Sequence, residues 1–391
     1  MRVLMLIHHV AAAGGSFERS FALARHLVRL GHTVTLSVSP SRASATPRVR
    51  ELQGVRLVES ADVAPFHLRN MGLSPLDILG RMVLATHESF DVVHGFDQRP
   101  SVSLPALAQR KRFGSPYVSD WADLWGGQGI AGERSWPARV TLGAFDGACE
   151  KRVCQSADGL TPICTYLAER ARAMGVAGER LHLLPVGAEC DDGPPPDKAA
   201  SRRALGIPLQ APVAVHIGLG SYDLALLVQS FVAMARVNPR ALLVTSGPRI
   251  SQLDRAARRY GLAANLHQVG WVPHEHLSAL LGAADMLLLP YTRRPVNLGR
   301  SPNSAGHALA AARPIVTNPT GDLGALVRDE GIGLTAEETG AAMAQAMQQL
   351  FNDPPQAEAM GRRARALAET RLAWSHLAGR LAEFYTRCTS L

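Results

Sequence analysis

Short, wholly apolar runs recur along this chain, and stretches of helical length with one apolar face lie between them. Residues 2–7 (Arg-Val-Leu-Met-Leu-Ile) read as a buried first strand. Residues 17–30 carry Phe21, Leu23, Ala24, Leu27, Val28 and Leu30 at helical spacing; Gly31 ends that helix, and residues 33–38 form the next strand. Short connections of this kind favour a parallel pair with a right-handed crossover. The alternation continues with strands at 55–58, 92–94, 117–118, 159–162 and 181–185, separated by helices near 76–87 and 102–111. It breaks at 189–198, where Asp191-Asp192-Gly193 precedes three consecutive prolines, a linker or hinge composition. A second series follows, with strands at 213–217, 241–245, 266–270, 286–289 and 315–316 and a final helix at 374–388. A chain of 391 residues is too long for one ordinary core. The expectation is an α/β protein of two doubly wound, Rossmann-like domains, residues 1–188 and 199–373, whose ligands gather beyond the carboxyl ends of the strands.

Charge narrows the classes of partner. The net charge is +8, yet only three of the 41 basic residues are lysines, and the arginines are scattered rather than gathered into a run. Scattered positive charge argues against nucleic acid and fits phosphorylated ligands or an anionic membrane surface. Five cysteines show no metal-ligand spacing and read as reduced thiols. The first apolar run ends at His8-His9 without a cleavage pattern, and no run reaches membrane-spanning length. These features lead us to expect a cytoplasmic protein, with peripheral contact to the inner face of a membrane compatible.

The stretch 297–314 reads N-L-G-R-S-P-N-S-A-G-H-A-L-A-A-A-R-P, between the apolar runs 285–290 and 314–317. Strand, loop, helix, strand is the natural parse, with Asn303 or Ser304 able to cap the helix. A helix N-terminus beside a fixed cation, Arg300, favours an anion such as phosphate, although many strand-to-helix turns of this type bind nothing.

This stretch resembles the donor-binding segment of retaining glycosyltransferases with the GT-B architecture, the large glycosyltransferase family four of the group 1 type. Asn297, Gly299, Arg300, Pro302, Asn303, Ala310, Ala311, Arg313, Pro314, Gly321 and Asp322 match one branch of that family. Ser304 stands for a lysine, His307 for a carboxylate, Ala308 for an aromatic residue and Ala312 for a glycine. The resemblance implies two Rossmann-like domains facing a cleft, with residues 374–391 crossing back to the first. It also implies a metal-independent, retaining transfer of a sugar from a nucleotide-sugar co-substrate to a hydroxyl, with no other cofactor. The acceptor would be a glycan, a lipid-linked or a small molecule.

By the same resemblance, Arg300 would meet the diphosphate, and Asn303, Ser304 and His307 would lie against the donor. Gly218 and Gly220, in the turn His216-Ile-Gly-Leu-Gly-Ser221, would let backbone amides approach it; an ordinary tight turn explains these glycines equally well. Val272, within Gly270-Trp-Val-Pro273, would frame the nucleobase, and Gly14-Gly15 resembles the flexible loop that approaches donor and acceptor. The segment 120–127 holds two carboxylates and two indoles. Asp120 and Asp123 suit hydroxyl orientation or proton acceptance, while Trp121 and Trp125 suit a sugar face; a capped helix start with buried tryptophans would read the same. His94 belongs with the acceptor or with the core. An alternative reading takes the departures at Ser304, His307 and Ala308 as marks of a degenerate transferase, acting as a non-catalytic partner or coupling unusual sugar-like units.

Overall fold

The computed structural model describes residues 1–391 except 12–13, 192, 219–221, 273 and 391. Two compact units emerge, Met1–Val186 with Gly299–Ser301 and Trp374–Leu391, and Gly187–Leu298 with Pro302–Ala373. Residues 189–198, expected as a linker, therefore belong to the second unit, and the short segment around Arg300 belongs to the first.

The first unit is built on a seven-stranded sheet in the order β3-β4-β2-β1-β5-β6-β7. Its strands are β1 (Arg2–Val10), β2 (Thr33–Ser39), β3 (Arg48–Leu52), β4 (Val55–Glu59), β5 (Val92–Phe96), β6 (Tyr117–Trp121) and β7 (Gly159–Pro162). All pairings are parallel except β3 with β4. Residues 3–7 of β1 are buried without alternation, as a central strand covered on both faces requires. Connections leave β1 toward β2 on one side and return to β5 on the other, so the strand order reverses between β1 and β5. A crevice at the carboxyl ends of those two strands is where such sheets bind ligands.

Two local expectations need correction. Residues 181–185 form no strand among the described elements; Leu181 makes one isolated bridge with Leu160. His182 N and Leu184 N still donate to the β7 carbonyls of Leu160 and Pro162, but the carbonyls of Leu184 and Pro185 are taken by the Arg19 guanidinium, and Pro185 has no N–H to offer a ladder. Conversely, β3 was not anticipated. It is fully exposed and turns into β4 through Gln53 and Gly54, both with positive φ (50° and 79°), the geometry of a tight hairpin turn.

The second unit carries a parallel six-stranded sheet, β10-β9-β8-β11-β12-β13. Its strands are β8 (Val213–Ile217), β9 (Leu242–Ser246), β10 (Leu266–Gly270), β11 (Met286–Leu289), β12 (Ile315–Thr317) and β13 (Gly333–Thr335). Here the order reverses between β8 and β11. No helix among the described residues is long and apolar enough to cross a membrane.

Candidate active site

At the reversal point of the first sheet, the end of β1 presents His8 and His9, and the turn after β5 presents Asp97. Neighbouring residues of a regular strand point to opposite faces. The β1–β2 register shifts between Leu6 and Val10, and the two imidazoles come to lie on the same side, 3.9 Å apart between centroids. Asp97 is a non-glycine residue at φ 73°, a left-handed conformation that stores strain. Its carboxylate faces His8 Nδ1 at 3.1 Å and accepts from Trp125 Nε1 at 3.2 Å and Ser16 Oγ at 3.4 Å. Burial alone would raise its pKa. The close approach of His8 and the hydrogen bond from Trp125 more than offset that and hold it well below the usual carboxylate range. Burial, with the neighbouring His8, lowers His9 to about 3, so its imidazole is neutral. His8, His9 and Asp97 each bring one ligand-type atom within 4.8 Å of the others, a set able to hold a metal ion.

Asp120, at the end of β6, is fully buried. It receives two hydrogen bonds from Arg19, Nε at 3.1 Å and Nη2 at 2.9 Å, and one from Thr161 Oγ1 at 2.8 Å. Thr161 in turn meets His94 Nε2 at 3.1 Å, and His94 Nδ1 lies 2.6 Å from the Tyr385 hydroxyl. This chain of polar contacts ties the final helix, Trp374–Thr389, to the centre of the sheet. The structure places His94 and Trp121 wholly inside the unit, where neither shows surface to an acceptor. Trp121 donates its indole N–H to Glu150, which also accepts from the backbone amides of Trp125 and Gly126 at 2.6 and 2.9 Å. Glu150 thus shapes the loop that carries Asp123 and Trp125. Trp125 is half-buried, its ring under the Arg99 guanidinium at 4.2 Å.

Asp123 and Arg300 come together in this unit. They form an isolated antiparallel bridge, in which Leu124 N donates to Gly299 O at 2.9 Å. The approach requires glycine at 299, because a Cβ there would lie 2.4 Å from Leu124 Cβ. Desolvation, with the nearby charge of Asp97, pushes the Asp123 carboxyl up to about 7, and Arg300 opposes that rise. A carboxyl poised near neutrality beside a cation can orient a hydroxyl or exchange a proton under working conditions.

In the second unit, the ends of β8, β9 and β10 are stitched together: Gly218 N donates to Ser246 O and Gly247 N to Gly270 O, at 3.0 and 2.9 Å. Gly218 has φ 126° and is open on the side where a Cβ would stand. Gly220 lies outside the described residues. Val272 is half-buried beside the exposed Trp271. The helix Asn303–Ala310 has Pro302 at its N-cap, so Asn303 and Ser304 are its first residues rather than its cap, a correction to the expected cap. Ser304 is buried and His307 half-buried. The helix Gly14–Arg29 begins earlier than expected, so Gly14 and Gly15, both exposed, form its first turn rather than a free loop.

Several residues of the site escaped the sequence. Asp223 is buried at the turn after β8 and accepts from Thr292 N and Oγ1 and from Asn297 Nδ2. Asn297, matched by motif, is therefore a brace between β8 and β11. Arg313 likewise donates to the carbonyls of Leu281, Gly282 and Pro196. His8, His9 and Asp97 left only one trace, a polar pair that ends the first apolar run.

Residues 14–187 match the family described as glycosyl transferase 4-like domain, and residues 212–353 match glycosyl transferases group 1. A D-inositol 3-phosphate glycosyltransferase of Nocardia farcinica is 31% identical over 61% of this chain; the match spans 54%, about half, of that relative's length. Among solved structures, sucrose-phosphate synthase from Thermosynechococcus elongatus superimposes with a TM-score of 0.80 at 18% identity, covering all of both chains. HepE of Anabaena in complex with UDP-glucose superimposes at 0.72 with 14% identity, over 98% of this chain and 99% of that one. At these identities the structural likeness establishes the two-domain GT-B fold.

Proposed function

The chain belongs to the glycosyltransferases, a 4-like domain followed by a group 1 domain, and on that premise we propose that it transfers a sugar from a nucleotide-sugar donor to an acceptor hydroxyl with retention of anomeric configuration. The observation that carries this reading is the pairing of Arg300 with Asp123, a cation held by its backbone beside a carboxyl tuned to about 7.

Departure of a nucleoside diphosphate builds negative charge on the leaving oxygen. A positioned guanidinium lowers that barrier because it needs no reorganisation as the charge appears. Arg300 fills this role, and Asp123 keeps it in place. In a retaining transfer by front-face attack, the acceptor oxygen approaches on the side from which the phosphate leaves. The departing phosphate takes the acceptor proton, so no pair of carboxylates of the glycosidase kind is required. Asp123 orients a hydroxyl of the transferred sugar or of the acceptor. Arg300 and backbone amides, rather than a divalent cation, neutralise the phosphate in this scheme. UDP-glucose, the ligand of the HepE complex, is the first donor to try.

The test is incubation with UDP-, GDP- and ADP-hexoses and a mixed panel of hydroxyl acceptors, followed by proton NMR. Nucleoside diphosphate release with a product of unchanged anomeric configuration supports the proposal. An inverted product overturns the retaining mechanism, and a folded protein that releases nothing from any donor overturns the transferase reading.

A further inference from the structure

Three successive helices of the first unit, Pro75–His87, Pro100–Phe113 and Trp136–Ser156, connect β4 to β5, β5 to β6 and β6 to β7. Each step runs in the same direction along the sheet, so right-handed crossovers place all three on one face. The first packs on the second. The second is joined to the third by the ion pair of Arg99 with Asp146 and by a hydrogen bond from Arg110 to the Ser156 carbonyl.

The outer surface of this layer is unusual in two independent ways. It displays large apolar side chains that touch solvent: Leu76, Leu79 and Val83 on the first helix, Leu104 on the second, Trp136 and Val140 on the third. Trp136 is 68% exposed, Leu79 61% and Val83 57%. Leu76, Leu79 and Val83 follow helical spacing, so they form one stripe rather than scattered exposures. The charges are also one-sided. Every carboxylate on the three helices (Asp77, Asp146 and Glu150) is buried and engaged internally, whereas Lys111, Arg112, Arg139, Lys151 and Arg152 are exposed. Within the three helices the exposed acid–base charge is therefore wholly positive; Glu88, just after the first, is paired with Arg56, and Glu133 lies before the third.

We propose that this face docks on an anionic lipid bilayer, with the helices lying along the membrane plane. Apolar side chains, an exposed indole and a surround of arginine and lysine are what an interfacial helix layer needs: the apolar groups enter the acyl boundary, the indole sits among the headgroups, and the cations meet lipid phosphates. A second copy of the chain fits less well, because a two-fold contact would set five cations against five. The inference requires nothing of the donor or the acceptor and stands apart from the transfer reaction.

The test is flotation of the full-length chain with vesicles of equal parts phosphatidylglycerol and phosphatidylcholine, and with phosphatidylcholine alone, at low salt. Binding to the first and not the second is expected, with a blue shift of tryptophan emission that is lost in Trp136→Phe. The double variant Leu79→Glu/Trp136→Glu should lower the bound fraction about tenfold, and Lys151→Glu/Arg152→Glu by a similar factor, which salt then abolishes. These positions are exposed, so thermal midpoints should match that of the parent chain. A chain that stays unbound with phosphatidylglycerol at low salt overturns the proposal. So does undiminished binding by both variants, or a lipid-free dimer in light scattering that Leu79→Glu dissociates.

Discussion

Arg300 lies opposite Asp123 in a two-residue antiparallel bridge, closed by a hydrogen bond from Leu124 N to Gly299 O. The contact sets the cation of the segment Gly299–Ser301 beside a carboxyl in the loop after β6. Glu150 anchors that loop through the amides of Trp125 and Gly126. The pairing of charges is thus set by backbone on both sides, and side-chain substitutions can probe its electrostatics without dismantling it.

The carboxyl of Asp123 is raised from 3.8 to about 7, chiefly by burial. A carboxylic acid with a raised folded value stabilises the protein fully below its unfolded value and loses that contribution as pH rises through the folded one. Stability should therefore fall between about pH 4 and 7 by roughly 1–2 kcal/mol, after allowance for the residue's partial exposure. Asp123→Asn should remove this slope in urea unfolding measured across that range. In turnover, the parent enzyme should show an ionisation near 7 that is missing from the variant.

Gly299→Ala places a Cβ 2.4 Å from Leu124 Cβ. Backbone on one side must move, at a cost of about 1–3 kcal/mol, and Arg300 then withdraws from Asp123. Because Arg300 lowers the Asp123 pKa, the ionisation seen in the pH profile should climb above 7. Thermal unfolding and the pH dependence of turnover measure the two effects separately.

Ala312 has φ 54°, a left-handed conformation, at the position where the related motif carries glycine. The strain of an alanine there is about 1–2 kcal/mol, and glycine's extra freedom in the unfolded chain returns about half of it. Ala312→Gly should therefore raise stability by roughly 0.5–1 kcal/mol, seen as a higher denaturant midpoint with no change in slope. Turnover should be unaffected.

Much of the architecture was legible because parallel strands buried on both faces leave unbroken apolar runs. Residues 2–7, 213–217 and 286–289 could be placed from composition alone. The exposed hairpin strand Arg48–Leu52 left no such signal; its register depends on the Gln53-Gly54 turn rather than on burial. The site was legible where a motif carried it, at Gly299 and Arg300, and opaque where long-range pairing decides a role. Asp120 and Asp123 are three residues apart and chemically identical in the sequence. Only the structure separates them, since Arg19 and Thr161 saturate one while burial near Asp97 and Arg300 tunes the other. His94 was ambiguous for the same reason: its partners Tyr385 and Thr161 come from distant parts of the chain. The pairing of His8 and His9 depends on a register shift in β1 that no period-two reading foresees.

Contact of Arg300 with the donor's phosphate is measured by isothermal titration of UDP-, GDP- and ADP-hexoses into the parent chain and Arg300→Ala. At least one donor should bind the parent, and Arg300→Ala should weaken it by about 10–100-fold, the value of a charge-assisted hydrogen bond, with Arg300→Lys in between. A donor that binds parent and Arg300→Ala with equal affinity, at matched thermal stability, would contradict that contact.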